Sequence, residues 1–324
     1  MIIRPGAPFR LDLTVWALRR RPRNALDLWD GTRYSRTIAI GGTPARIVVS
    51  QTGPADDPKL EVLCVSRRRA VDAATISDLV ARLLGVNVSL VEFYQLAATD
   101  ARITVLLKRF MGFRPPRFPT VFEAAVNAVC CQQLSLEVGL ELMNRLVAAA
   151  GMKYTDGAST SFAFPEPGDI ARLSEDRLHR LGFSGQKAVS LLSLAWTLAK
   201  NEGHLENLAE MDNESARTRL LEIKGIGRWS AEYILLRGLG RLDVFPADDI
   251  AAQRNLRRWL KIGARTRHDP YELIQRALRR WRPYQGIVYF HLLLASFAER
   301  GLLERSASDC VTLSKSGVQR RSAS

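Results

Sequence analysis

Two short stretches of this chain carry residue types that could do chemistry, at a fixed separation. The first is Gly225-Ile226-Gly227. Glycines tolerate φ > 0 and let backbone approach a ligand closely. A helix beginning after the second glycine would present free N–H groups and the positive end of its dipole, which suits a phosphate. Ile226 would point inward and hold the two flanking helices together. Taken alone, the same pattern also describes a plain interhelical turn. The second stretch is Asp248-Asp249, with Asp249 lying 22 residues after Gly227. Adjacent carboxylates before a helix form an ordinary N-cap pattern, and near a reacting carbon one of them could stabilise developing positive charge.

The elements that must hold these residues are mostly helical. From residue 70 onward the apolar period is that of a helix; Ile76, Leu79, Val80, Leu83 and Leu84 are followed by a stop at Gly85. Further helices are expected over residues 90–99, 101–111, 168–181, 187–200, 214–222, 228–238, 249–260, 270–281 and 286–305. Another covers 120–150, breaking near 132–135 and opening with a Thr120–Glu123 capping box. The first 70 residues read instead as strands over 9–16, 36–40, 46–50 and 59–66, with Gly41-Gly42-Thr43-Pro44 as a hairpin turn. The fold class is α+β, a small, mostly antiparallel N-terminal sheet domain (1–72) followed by a large all-α body (73–305). A Ser-rich tail (306–324) lacks apolar periodicity and is expected to be disordered.

Composition narrows the partners. The 324 residues carry 47 Lys+Arg against 33 Asp+Glu, a net charge of +14, and 47 % are hydrophobic, as in an ordinary globular protein. Such a charge suggests a polyanionic partner, a nucleic acid or an anionic membrane face. From Arg257 to Arg282 nine basic residues face Asp269 and Glu272 only, a local +7, although a solvated helix face would look the same. No apolar run spans a bilayer, no signal peptide is visible, and Cys64, Cys130, Cys131 and Cys310 show no framework spacing. These features imply a cytoplasmic protein. His179, His204, His268 and His291 have no ligand spacing with each other or with the cysteines, so no metal site is expected.

Read together, Lys224-Gly225-Ile226-Gly227, Ala231 and Tyr233 resemble the helix-hairpin-helix of DNA repair proteins, here at about 214–238. With Asp249 at its distance, the stretch is similar to the helix-hairpin-helix base-excision DNA glycosylases, and within them to the 3-methyladenine DNA glycosylase II, AlkA-like branch. Residues 122–135 and Trp281-Arg282-Pro283-Tyr284 resemble the same branch, and the likeness covers roughly residues 70–305. It implies duplex DNA containing alkylated bases as partner and association with the nucleoid; a monomer is the default expectation, since the sequence says nothing of oligomerisation.

The resemblance makes Asp249 the catalytic carboxylate, stabilising an oxocarbenium-like sugar and helping to place the attacking water. Asp248 is its decoy. Trp229 stands where strand-cutting relatives carry a Schiff-base Lys, and Lys224 lies before the glycines, so the implied reaction is base removal by water alone, leaving an abasic site. Trp229, Tyr233 and Tyr284 could line a pocket for a cationic purine, or could be core aromatics; Tyr284 replaces an expected Trp. Gly225, Ile226, Gly227, Arg228 and Ser230 would meet DNA at the hairpin. Gln132, Gln133 and Leu134 lie where the family places the side chain that fills the gap left by a flipped base, with Gln133 favoured and Leu134 its alternative. Helix-end polar residues with no DNA role are the bland alternative. No cofactor is implied beyond a monovalent cation that the hairpin carbonyls could hold, and the four-Cys iron–sulfur loop of some relatives is absent. A non-catalytic helix-hairpin-helix DNA-binding protein, or a glycosylase of the same fold for oxidised or deaminated bases, would share most of these features.

Overall fold

The computed structural model describes residues 1–66, 71–157, 159–200, 205–263 and 269–303. The expected disordered tail, Cys310, His204, His268, Arg265 and Arg267 lie outside the described residues.

The N-terminal sheet is antiparallel throughout, in the order β1 (Ile2–Ile3), β5 (Leu60–Ser66), β4 (Thr43–Gln51), β3 (Arg33–Ile40), β2 (Leu28–Trp29). The β3–β4 hairpin closes at Ile40 opposite Thr43, with Gly41 and Gly42 both at positive φ, +55° and +69°. That geometry is the primed turn whose twist matches the strands, and it needs residues free of a Cβ clash. Tyr34, Ala45, Ile47, Val49, Leu60 and Val62 bury the inner face. Part of the outer face is covered by a second hairpin that the sequence did not announce, β6 (Lys153–Asp156) with β7 (Ser159–Phe162). Thr37 Oγ1 and Ser161 Oγ meet there at 2.7 Å.

Residues 9–16, expected as a strand, form no strand. They enter helix α1 (Leu11–Arg19). The apolar alternation arises because this helix has two buried faces. Leu11, Val15 and Leu18 join the cluster under the sheet, while Leu13, Trp16 and Ala17 join a second cluster. The i, i+4, i+7 and i, i+3, i+4 sets interleave, and their sum mimics period two.

The body comprises α2 (Ala73–Leu84), α3 (Val91–Ala98), α4 (Ala101–Arg109), α5 (Val121–Cys131), α6 (Leu136–Ala150), α7 (Pro167–Ala171), α8 (Glu175–Arg180), α9 (Gly185–Lys200), α10 (Asn213–Leu221), α11 (Arg228–Ile234), α12 (Ile250–Leu260), α13 (Pro270–Leu278) and α14 (Gln285–Glu299). The α5–α6 break falls where expected, with Ser135 capping α6. The 168–181 segment divides at Ser174, which caps α8. Half of the expected capping box forms: Thr120 Oγ1 accepts from Glu123 N at 3.0 Å. The Glu123 carboxylate does not return to Thr120, because the buried Arg36 takes both its oxygens. Helix α11 gives way to a wider π-type turn, Leu235–Leu239, that carries the buried Arg237. Its Nη1 donates to Ala17 O at 3.0 Å, tying the body to the end of α1. Among the described residues no helix is long and apolar enough to cross a membrane.

Candidate active site

Helix α10, capped by Asp212, runs into the hairpin, and α11 leaves it. Gly225 has φ +88°, and a Cβ there would lie 2.1 Å from Ser190 Oγ, so both backbone conformation and packing require glycine. Gly227 has open space where a Cβ would stand, and no side chain caps α11 behind it. Ile226 is buried, as expected of an inward-pointing staple between the helices. Gln132, at the end of α5, reaches across to this turn. Its Nε2 donates to Gly225 O at 2.7 Å and to Ser230 Oγ at 2.8 Å. Ser230 is itself buried, so Gln132 and Ser230 pin the α5 end to the hairpin. Lys187 reinforces this end by donating to Val129 O and, at 2.9 Å, to Gln132 O; burial pushes its pKa down.

Gln133 follows with φ +54°, exposed, and Leu134 beside it is 41 % exposed. A non-glycine residue in left-handed backbone is uncommon; here it turns the two side chains after Gln132 toward solvent at the tip of the α5–α6 loop. With Gly225 O accepting from Gln132 and Ile223 O accepting from Ile226 N, two hairpin carbonyls already serve protein donors. Among the described residues no group of three His, Cys, Asp or Glu converges as metal ligands.

Asp249 is half-buried and is the N-cap of α12; its Oδ1 accepts from Ala252 N at 2.9 Å. Its Oδ2 faces Trp229 Nε1 at 3.4 Å and the Tyr289 hydroxyl at 3.3 Å. The capping and chemical readings of this carboxylate are thus compatible, one oxygen serving each. Asp248 is differently engaged. Arg228 Nε and Nη2 reach its two oxygens at 2.5 and 2.9 Å, and that partner raises the arginine's pKa. Arg228, expected to meet DNA, is therefore paired within the protein.

Trp229 and Tyr233 stack with centroids 5.3 Å apart and planes inclined by 29°. Trp229 is partly exposed, whereas Tyr233 is buried beneath it. The Tyr233 hydroxyl donates to Asn127 Oδ1 at 2.8 Å and accepts from Arg20 Nη1 at 2.9 Å; Arg20 Nη2 also reaches Asn127 Oδ1. Tyr284 goes elsewhere, its hydroxyl on Glu92 Oε2 at 2.5 Å and its ring against Phe93. Tyr289 takes the position beside Asp249. Burial, followed by the neighbouring carboxylate, pushes the Tyr289 phenol well up, so it remains a donor.

Sequence reasoning missed Tyr289, Asn127, Arg20 and Glu232. Tyr289 lies inside the apolar run of α14, and Arg20 within a basic triplet whose neighbours gave no sign of burial. The buried Glu232 occupies the helix position just before Tyr233.

A family model described as HhH-GPD superfamily base excision DNA repair protein matches residues 126–283, which contain the hairpin, Asp249 and the α5–α6 loop. The DNA-3-methyladenine glycosylase 1 of Schizosaccharomyces pombe is 31 % identical over 166 residues, covering 50 % of this chain and 69 % of that protein. The chain belongs to the HhH-GPD superfamily. A DNA-3-methyladenine glycosylase of Bacillus subtilis is 24 % identical over 287 residues, 88 % of this chain and 93 % of its own length. The 3-methyladenine DNA-glycosylase structure from Archaeoglobus fulgidus superposes with a TM-score of 0.78 at 24 % identity, over 91 % of this chain and 97 % of that one. This HhH-GPD protein therefore has the same fold, sheet included.

Proposed function

We propose that the chain is a monofunctional DNA glycosylase that hydrolyses the N-glycosidic bond of alkylated bases such as 3-methyladenine and 7-methylguanine in duplex DNA. It acts as a monomer on cytoplasmic, nucleoid-associated DNA and leaves an abasic site. The observation that carries this is Asp249: one oxygen is fixed in a helix cap, and the other has only long contacts, 3.4 Å to Trp229, which stacks on Tyr233, and 3.3 Å to the Tyr289 hydroxyl. Relatives named for 3-methyladenine support the substrate class.

The chemistry follows from the geometry. A base must leave the stack before its C1′ can be reached, at a cost of a few kcal/mol. Gln133 and Leu134, exposed on a tight turn, are suited to occupy the gap. An alkylated purine is cationic, and the face of Trp229 attracts it by about 0.5–2 kcal/mol. As the bond to the base lengthens, the sugar becomes oxocarbenium-like, and Asp249 stabilises the charge and orients water on C1′. Among the described residues no lysine forms a hydrogen bond or ion pair with Asp249. Lys187 is committed to the carbonyls at the end of α5, and Lys224 precedes the hairpin glycines. A cationic purine is already a good leaving group, so one shared stabilisation serves several lesions. The hairpin anchors one phosphate, and the basic α12–α13 region draws in the rest of the duplex.

The test is base release from methylated duplex DNA, analysed by chromatography, for wild type and Asp249→Asn. Wild type should free methylpurines, and the variant should lose about two to three orders of magnitude in rate while still binding DNA. Borohydride should trap no protein–DNA adduct. An active Asp249→Asn with an inactive Asp248→Asn would move the assignment by one residue, and a trapped adduct would exclude reaction by water alone.

A further inference from the structure

Helix α11 carries two adjacent stripes at i, i+4 spacing. Trp229 and Tyr233 form the aromatic pair beside Asp249, and Arg228 and Glu232 hold the segment that delivers Asp249. Glu232 is 1 % exposed. Its Oε2 accepts the Ala247 amide at 3.0 Å, and its Oε1 accepts the Tyr271 hydroxyl at 2.5 Å. The Ala247 carbonyl is held from the other side by Gln253 Nε2 of α12 at 2.6 Å. The Tyr271 ring also supports Arg228, whose guanidinium lies 3.9 Å above it while gripping Asp248. Residues 247 and 248 are thus fixed to α11 on one side and α13 on the other, immediately before the working carboxylate.

A carboxylate this buried costs several kcal/mol unless its oxygens are well satisfied, and no arginine or lysine forms an ion pair with Glu232 among the described residues. Burial accordingly pushes its pKa up. An apolar side chain at this position would avoid the cost but leave the Ala247 amide without its partner. We propose that Glu232 is a positioning residue: through the Ala247 amide and Tyr271 it fixes the approach of residues 247–249, and so sets the Asp249 carboxylate against Trp229 and the reacting sugar. The role rests on the glycosylase reading of Asp249, in which a misplacement of about 1 Å can cost two orders of magnitude in rate.

The test separates position from binding and folding. Glu232→Gln keeps the shape but can accept only one of the two bonds; Tyr271→Phe removes one donor and leaves the ring under Arg228. Single-turnover base release should fall about 10- to 100-fold for Glu232→Gln and in the same direction, by less, for Tyr271→Phe. Affinity for a duplex bearing an abasic-site analogue should stay within about twofold for both. Amide hydrogen exchange should accelerate in the peptide spanning residues 244–252 and not in the sheet. Unchanged rates, or rate and affinity falling together, would overturn the proposal. If Glu232→Gln does not fold, Tyr271→Phe decides alone. If the wild type frees no methylpurine, the glycosylase reading fails, and unaltered exchange over 244–252 would then sink the positioning role separately.

Discussion

Two sets of buried or half-buried carboxylates in this molecule are treated in opposite ways. Under the sheet, Asp27 and Glu123 are 1–2 % exposed and share Arg36. Asp27 Oδ1 accepts from Arg36 at 2.7 Å and from Tyr34 at 2.9 Å, and both Glu123 oxygens accept from Arg36 Nη2. Both carboxylates hold short bonds to one buried guanidinium, which balances one of their two charges. Asp249 spends one oxygen on a helix cap and holds the other at 3.3–3.4 Å from two donors, with no ion pair among the described residues. A saturated carboxylate locks two layers together. An under-used one keeps capacity for a further donor or cation.

The difference predicts separable losses. Arg36→Met should be the most damaging change to stability, about 3–5 kcal/mol by denaturant unfolding, because it strands two buried carboxylates. Its turnover per folded molecule should be little altered. Asp249→Asn should do the reverse, since asparagine still caps α12: an unfolding midpoint within about 2 °C of wild type beside the rate loss given above. A third arm is pH. Burial among aromatic rings lowers His291 to about 4. Above pH ~6.5 this costs nothing; as pH falls further, the unfolded chain takes up a proton that the folded one refuses. Stability should decline by about 1.4 kcal/mol by pH 5.5 and about 3 by pH 4, and His291→Phe should remove that slope. Smallest of all, Asp248→Asn weakens a partly exposed pair with Arg228 and should cost under about 1 kcal/mol, with base release falling by less than for Glu232→Gln, the buried grip on the same segment. Should it match Asp249→Asn instead, the contrast between saturated and under-used carboxylates would have been drawn at the wrong residue.

The site was legible where its signals are local. Gly225, Ile226 and Gly227 are constrained by a turn only a few residues long, and the N-cap role of Asp249 is written in the residues that follow it. Tyr289 and Asn127 were not legible, because they reach Asp249 and Tyr233 across about 40 and 106 residues of chain. Glu232 was hidden for a different reason: a lone acid on a helix is normally solvated, and the two groups that engage this one, the Ala247 amide and the Tyr271 hydroxyl, lie on other segments. The helices of the body were legible by their period, whereas α1 was not, since burial on two faces erases the amphipathic signal. The β6–β7 hairpin failed on length, four residues per strand being too few to establish a period.

The same two-faced helix has a consequence in time. Trp16 packs against Phe297, and Arg21 lies over that ring, with centroid separations of 6.3 and 5.4 Å. One face of α1 is therefore completed by a helix about 280 residues further along the chain. Closing a loop of that length carries an entropic delay that short-range contacts escape. Until α14 packs, Trp16 lacks this partner, so the second face of α1 should be completed later in folding than the local β3–β4 hairpin.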